Sequence, residues 1–336
     1  MDFPILAPHL LTHWLLQRGK ISIDRAASES FWMHFQKQKA PWMEGFDSTD
    51  FVPLAIYGDE AEYTITKEKI LVLYISFPMF EGSKTVFGSR FPVFCIRSER
   101  LFGYDTIGPV FDFLSWSVNT MYSGTFPAKN LAGDDLRGLG PNMMPNDPMY
   151  NGYKFRLVEL RGDWKHHLHT FKLASHWSCN DVCHCCKASK TNMLYPYTDF
   201  VRQPRWLCTM RTHAQFLAEQ LNEPINSLCY TARFHYHLIR FCSVHTVQLG
   251  IAQFCHGGCL YELFQVQWFR GDDKASKLRH AFICFKDFIR KHKIQCSQPP
   301  FKSYMYVTSG EEYCFFGSKA SWHDFKQLHS SDQFPI

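Results

Sequence analysis

Asp59 and Asp163 are the two acids whose positions suggest chemistry. Asp59 closes the strand-like segment VPLAIYGD (Val52–Asp59), and Asp163 follows a second one, YKFRLVELRGDW (Tyr153–Trp164). Phosphodiester chemistry needs charge neutralised on the attacking and leaving oxygens, and two divalent ions about 3.5–4 Å apart do this. Magnesium takes one or two carboxylates and otherwise keeps water and substrate phosphate. Asp59 and Asp163 suit that role as magnesium ligands and catalytic acids. They also suit a plainer one, since Gly-Asp commonly sits where a strand enters a turn.

The second set is sulfur-rich. Cys183-His184-Cys185-Cys186 contains a Cys-x-x-Cys made of Cys183 and Cys186, half of a tetrahedral zinc site. Cys242-Ser243-Val244-His245 supplies a Cys-x-x-His, and Cys183, Cys186, Cys242 and His245 together complete a structural zinc set. Cys185 and His184 fit the spacing less well, and Cys179 can substitute. Cys255 and Cys259, at i and i+4, share a helix face and read as core cysteines. The alternative for the whole set is buried free thiols, which pack like small hydrophobes. His166, His167, His169 and His176 crowd the same stretch and read as packed or solvated side chains.

The elements that must position these residues follow from periodicity. Residues 1–50 look helical, with an apolar face around Phe31, Trp32 and Phe35. VPLAIYGD, KILVLYISF (Lys69–Phe77) and RFPVFCIRSE (Arg90–Glu99) read as consecutive antiparallel strands joined by turn-rich links. DTIGPVFDFLSWSVNTMYSG (Asp105–Gly124) switches to helical spacing. A Gly/Pro/Asn/Asp-rich loop then leads to the fourth strand. Arg211–Pro224, Val244–Phe269 and Lys274–Lys293 read as helices, the second loosened by Gly257–Gly258 and the third ending in a basic run. Three antiparallel strands, a helix and a parallel fourth strand form an α/β, ribonuclease H-like mixed sheet with a helical C-terminal region. The crossover rule sets the fourth strand beside the first. Asp59 and Asp163, each at a strand end, should then meet. The expected regions are a helical segment (1–50), the ribonuclease H-like core (51–200) and a mainly helical remainder (201–336).

Composition is permissive. The chain has 336 residues, 46% hydrophobic and 20% charged, with a formal charge of +5. That allows a sizeable core and a DNA partner without demanding one. Thirteen cysteines, an odd number, with no Asn-x-Ser/Thr sequon suggest thiols that are free or hold metal. The first residues, MDFPILAPHLLTHWLLQ, lack the basic start of a signal peptide. The apolar run Ile70–Phe80 is too short to span a bilayer. A nuclear or cytoplasmic, non-secreted protein is expected.

From about Val52 to Glu262 the chain resembles the DDE transposases, ribonuclease H-like enzymes of eukaryotic cut-and-paste elements. It is similar to the CACTA-type and related groups, and RGDW followed by Cys-x-x-Cys is similar to a multicopy group of transposase-like proteins from dinoflagellate algae. The resemblance implies that Asp59 and Asp163 are the first two metal-binding acids, and that Cys183, Cys186, Cys242 and His245 are the paired zinc motifs. It also implies DNA as partner and magnesium as the catalytic ion. The family's third acid lies on a late helix. Here Glu311 and Glu312 are weak substitutes in SGEEYCFFG, and Glu262 stands close to the Cys-x-x-His. Weak or absent strand cleavage is therefore expected, with DNA bound along Lys274–Lys293. A non-catalytic, zinc-stabilised module for binding nucleic acid or protein is the alternative.

Overall fold

A computed structural model describes residues 4–79, 89–138, 143–176, 179–219, 226–243, 245–246, 252–294 and 300–301. Five strands form one mixed sheet in the order β3-β2-β1-β4-β5, with β1 Phe51–Glu62, β2 Lys69–Ser76, β3 Arg90–Arg97, β4 Lys154–Gly162 and β5 Ile239–Phe241. β1, β2 and β3 are antiparallel, whereas β4 runs parallel to β1 and β5 parallel to β4. This is the ribonuclease H-like arrangement. β2 shows why the chain is a strand here. Leu71, Leu73 and Ile75 are buried, and Ile70, Val72, Tyr74 and Ser76 between them are half-buried. A β-branched segment with that alternation packs one face and leaves the other partly open.

Helix α3 (Tyr104–Ser123) makes the crossover between β3 and β4 and buries Ile107, Phe111, Leu114 and Val118. It ends at Gly124, whose left-handed φ of 73° and backbone bond back to Thr120 close the helix. Helices α1 (Pro8–Gln17) and α2 (Arg25–Lys37) precede the sheet. Asp24 caps α2 by accepting from the Ala27 N–H. The α2 indole of Trp32 donates to the Phe51 carbonyl at 2.8 Å, fastening the helix to the start of β1. Arg156 of β4 is fully buried beneath this segment, with its guanidinium against Trp32, Trp42 and Phe46. It donates to the Trp42 carbonyl at 2.5 Å and the Arg233 carbonyl at 3.2 Å. Burial lowers its pKa to about 10, so it stays a cation, stabilised by carbonyls and ring faces.

Several elements differ from the expectations. β1 does not end at Asp59: it continues to Glu62, because the pairing with β2 runs on through Asp59 with Val72 to Glu62 with Lys69. The sheet also continues past residue 200, since β5 adds to β4 from a segment that reads as mainly helical. The chain accordingly divides into Met1–Phe241 and Cys242–Ile336. Within 201–241 the only α-helix among the described residues is the short α5 (His213–Glu219). The helix expected over Val244–Phe269 is α6, Ala252–Gln265, and it keeps Gly257–Gly258 inside. Cys255 and Cys259 of α6 are exposed, which corrects their reading as core.

The second unit has its own small core of Leu260, Phe264, Phe269, Leu278 and Ala281, shared by α6 and α7 (Lys274–Lys291). Asp273 and Ser276 form a capping box at the start of α7, and Arg290 and Lys291 complement its C-terminal dipole. Among the described residues no helix is long and apolar enough to cross a membrane.

Helix α1 is joined to α3 through a buried histidine. The His9 backbone N–H donates to Ser117 Oγ at 3.1 Å, and that hydroxyl lies 2.8 Å from His9 Nδ1. Burial pushes the His9 pKa down to about 4 from an ordinary 6.5. The neutral ring therefore contributes stability that is fully present above pH 6.5 and lost as pH falls towards about 4. The loss is about 1.4 kcal/mol per pH unit in that window. Urea unfolding at pH 7 and pH 5 should show it. His9→Asn, which keeps an acceptor for the hydroxyl but does not titrate, should flatten the dependence by one proton's worth.

Candidate metal and nucleic-acid site

The register of β1 with β4 pairs Tyr57 with Arg161. Gly58 and Gly162 follow, and a single imidazole covers both. A methyl group built on either glycine would overlap the His166 ring. Only glycines leave room for that ring at the sheet surface, and the ring spans both because the two positions are neighbours. Asp59 and Asp163 are the next residue of each chain segment. Asp59 therefore lies one residue beyond Gly58 within β1, and Asp163 one residue beyond Gly162, where β4 has ended and α4 begins.

Each aspartate has a defined local role. Asp59 is half-buried, and the Tyr57 hydroxyl donates to its Oδ2 at 2.7 Å. Residues i and i+2 of a strand share a face, so this bond sets Asp59 on the Tyr57 side of the sheet. Asp163 is the N-cap of α4 (Trp164–His169), and its Oδ1 accepts from the His166 backbone N–H at 2.6 Å. The cap places α4, and α4 delivers the His166 ring to the two glycines. A capping carboxylate retains acceptor capacity for a cation. Glu60, the next residue of β1, is paired with Lys165 of α4 at 3.3 Å.

His166 and His167 of α4 are packing groups. Burial drives His166 to about 3, helped by the neighbouring His167. The pKa of His167 is lowered mainly by burial, and its Nε2 lies 3.0 Å from the Arg240 carbonyl of β5. His167 thus bonds the last strand to the helix after β4. His169 is exposed and His176 is half-buried.

The cysteine loop is also ordered from within. The Cys185 N–H donates to Cys183 Sγ at 3.3 Å. Thiol hydrogen bonds from Cys185 and Cys186 lower the Cys183 pKa, while donating to Cys183 and being buried raises both of theirs. Arg211 fixes the loop: its Nη1 donates to the carbonyls of Cys183, at 2.9 Å, and Cys186, its backbone N–H to Cys185, and its Nε to Glu219 of α5. The Tyr236 hydroxyl donates to the Arg211 carbonyl. The fold thus brings Cys183 and Cys186 together, and Cys185 with them. Cys242 and His245 belong to the second unit, as does Glu262 of α6. Glu311 and Glu312 lie outside the described residues. Among the described residues no group of three or more His, Cys, Asp or Glu side chains is arranged to hold a metal ion.

Sequence reasoning missed Arg211 and the purpose of the glycines, and it read His166 as a packed or solvated side chain without its place over them. One signal for the glycines was present: both aspartates are preceded by glycine, Gly58-Asp59 and Gly162-Asp163. No protein-family model matches this chain, and no curated protein matches it.

Gly58→Ala and Gly162→Ala should each destabilise the fold by about 1–3 kcal/mol, as overpacking a filled core does. His166→Ala should recover much of that loss in the double variant with Gly58→Ala. Chemical denaturation gives all three values. Additive losses would show that the ring does not meet the glycine.

Proposed function

We propose that this chain is a transposase-derived, ribonuclease H-like protein that acts on or binds DNA and holds magnesium between Asp59 and Asp163. The observation that supports this reading is the single imidazole across Gly58 and Gly162, the residues that immediately precede Asp59 in β1 and Asp163 at the start of α4. Two hard oxygen donors suit magnesium, which asks for one or two carboxylates. When bound, the ion supplies charge neutralisation at phosphate oxygens. The protein's own part is placement. Tyr57 holds one carboxylate by its Oδ2, and the α4 cap holds the other by its Oδ1.

Zinc in the cysteine loop belongs to the same proposal. Cys183 and Cys186, held in one loop by Arg211, form half of a donor set suited to Zn²⁺. Spacing in the sequence nominates Cys242 and His245 as the remaining ligands. A DNA partner and free thiols fit a nuclear protein. With only two acids at the site, strand cleavage should be weak or absent, because phosphoryl transfer relies on positioned charge.

Two measurements test the reading. Duplex DNA binding should weaken steeply with salt, as counterion release requires, and replacing Lys274, Arg279 and Lys291 of α7 with Gln should shallow the log–log slope by about 0.9 for each phosphate no longer neutralised. An unchanged slope would remove α7 from the interface; no DNA binding at all would remove the function. Protein purified under reducing conditions should carry zinc by elemental analysis and lose it in Cys183→Ser and Cys186→Ser. Zinc-free, folded wild-type protein would refute the zinc site. Magnesium-dependent cleavage that disappears in Asp163→Ala would establish the site together with an activity stronger than expected.

A further inference from the structure

We propose that the sheet face beside Asp59 is a stacking platform for an unpaired nucleic-acid strand, centred on Tyr57, Tyr74 and Arg90. This inference rests on the reading that the protein handles DNA and names the form of DNA that this face takes. Tyr57 of β1 and Tyr74 of β2 are a directly opposed cross-strand pair, with ring centroids 6.1 Å apart and planes 38° from each other. Both are half-buried, with their backbones fixed in central strands. The Arg90 guanidinium lies over the Tyr57 ring at 5.5 Å. The same face of β2 continues as half-buried Val72 and Ile70, and the neighbouring Cys95 and Arg97 of β3 are exposed. Beyond Ile70, Arg97 lies over the exposed ring of Tyr63 at 6.0 Å.

The chemistry of this face selects its occupant. Aromatic rings fixed at a sheet surface accept any base by stacking, and arginine adds cation–π contact and phosphate attraction. Arg90, Arg97, Arg161 and Arg240 are all exposed; Tyr57 pairs in register with Arg161, which pairs with Arg240. The acids among them are Asp59, Glu159, which pairs with Arg161, Glu99, which pairs with Arg97, and Glu68, which accepts from the Tyr63 hydroxyl. Four guanidinium groups balance four carboxylates, so the face carries no net negative charge, and a cation at Asp59 would leave it basic. A duplex hides its base faces, so stacking favours a strand that is already unpaired. The hydroxyl bond from Tyr57 to Asp59 joins the platform to the proposed metal site, so a strand lying on the rings would pass the carboxylate.

The test uses the full chain and a fluorescein-labelled oligothymidylate, with anisotropy read in EDTA so that no divalent ion contributes. Wild-type protein should bind it. Tyr74→Leu, which keeps an apolar residue in the strand, and Arg90→Gln should each weaken binding about tenfold, on the scale of one base stack. Both variants should bind a duplex hairpin as wild type does. Arg90 is exposed, so its variant carries the test if Tyr74→Leu does not fold. Oligothymidylate binding unchanged in Arg90→Gln and in folded Tyr74→Leu, equal weakening on the hairpin, or no binding by wild-type protein would each overturn the platform. Because the assay contains EDTA, oligothymidylate binding is read without the metal site, which separates failure of that site from failure of the platform.

Discussion

A neutral imidazole lying across two glycines on adjacent strands is the contact on which the rest of the site depends. His166 is buried, and its ring occupies the space that a side chain at Gly58 or Gly162 would need. That contact can form only if β1 and β4 are parallel neighbours in this register, and only if α4 starts immediately after β4. The start is set by Asp163, which caps the helix through the His166 N–H itself. Strand register, helix start and the placement of the second aspartate are thus one interlocked arrangement. His167 extends it by bonding to the backbone of β5.

The cysteine loop is a second example of order imposed on irregular chain. Between α4 and α5 the backbone forms no long helix or strand among the described residues, so its carbonyls need partners from elsewhere. Arg211 supplies them for Cys183 and Cys186, and its charge meets Glu219. A guanidinium is well suited to this task, because its planar fork offers several donors without losing its charge on burial. Cys183, Cys185 and Cys186 are thereby gathered in one loop.

The order of the four main strands and the α3 crossover can be read from the sequence because their periodicities are long and clean. β5 cannot: three residues carry too little pattern to distinguish a strand from its surroundings. Asp59 reads as a strand end because Gly-Asp resembles a turn. The glycine answers instead to a ring from α4, more than 100 residues away in the chain, and a local pattern cannot encode that demand. Cys255 and Cys259 share a helix face as their spacing requires, but spacing does not say which face is buried, and Leu260 and Phe264 take the core. Topology alone nominates the two aspartates. The partners that orient them, Tyr57 and the α4 cap, are short-range hydrogen bonds that become visible only with the side chains in place.

The most direct test of the metal site is a crystal structure grown with Mn²⁺ in place of magnesium, with the ion located by its anomalous scattering. The account predicts a peak within bonding distance of carboxylate oxygens from both Asp59 and Asp163, with His166 still lying over Gly58 and Gly162. An ion bound elsewhere, or two aspartates too far apart to share one, would contradict it.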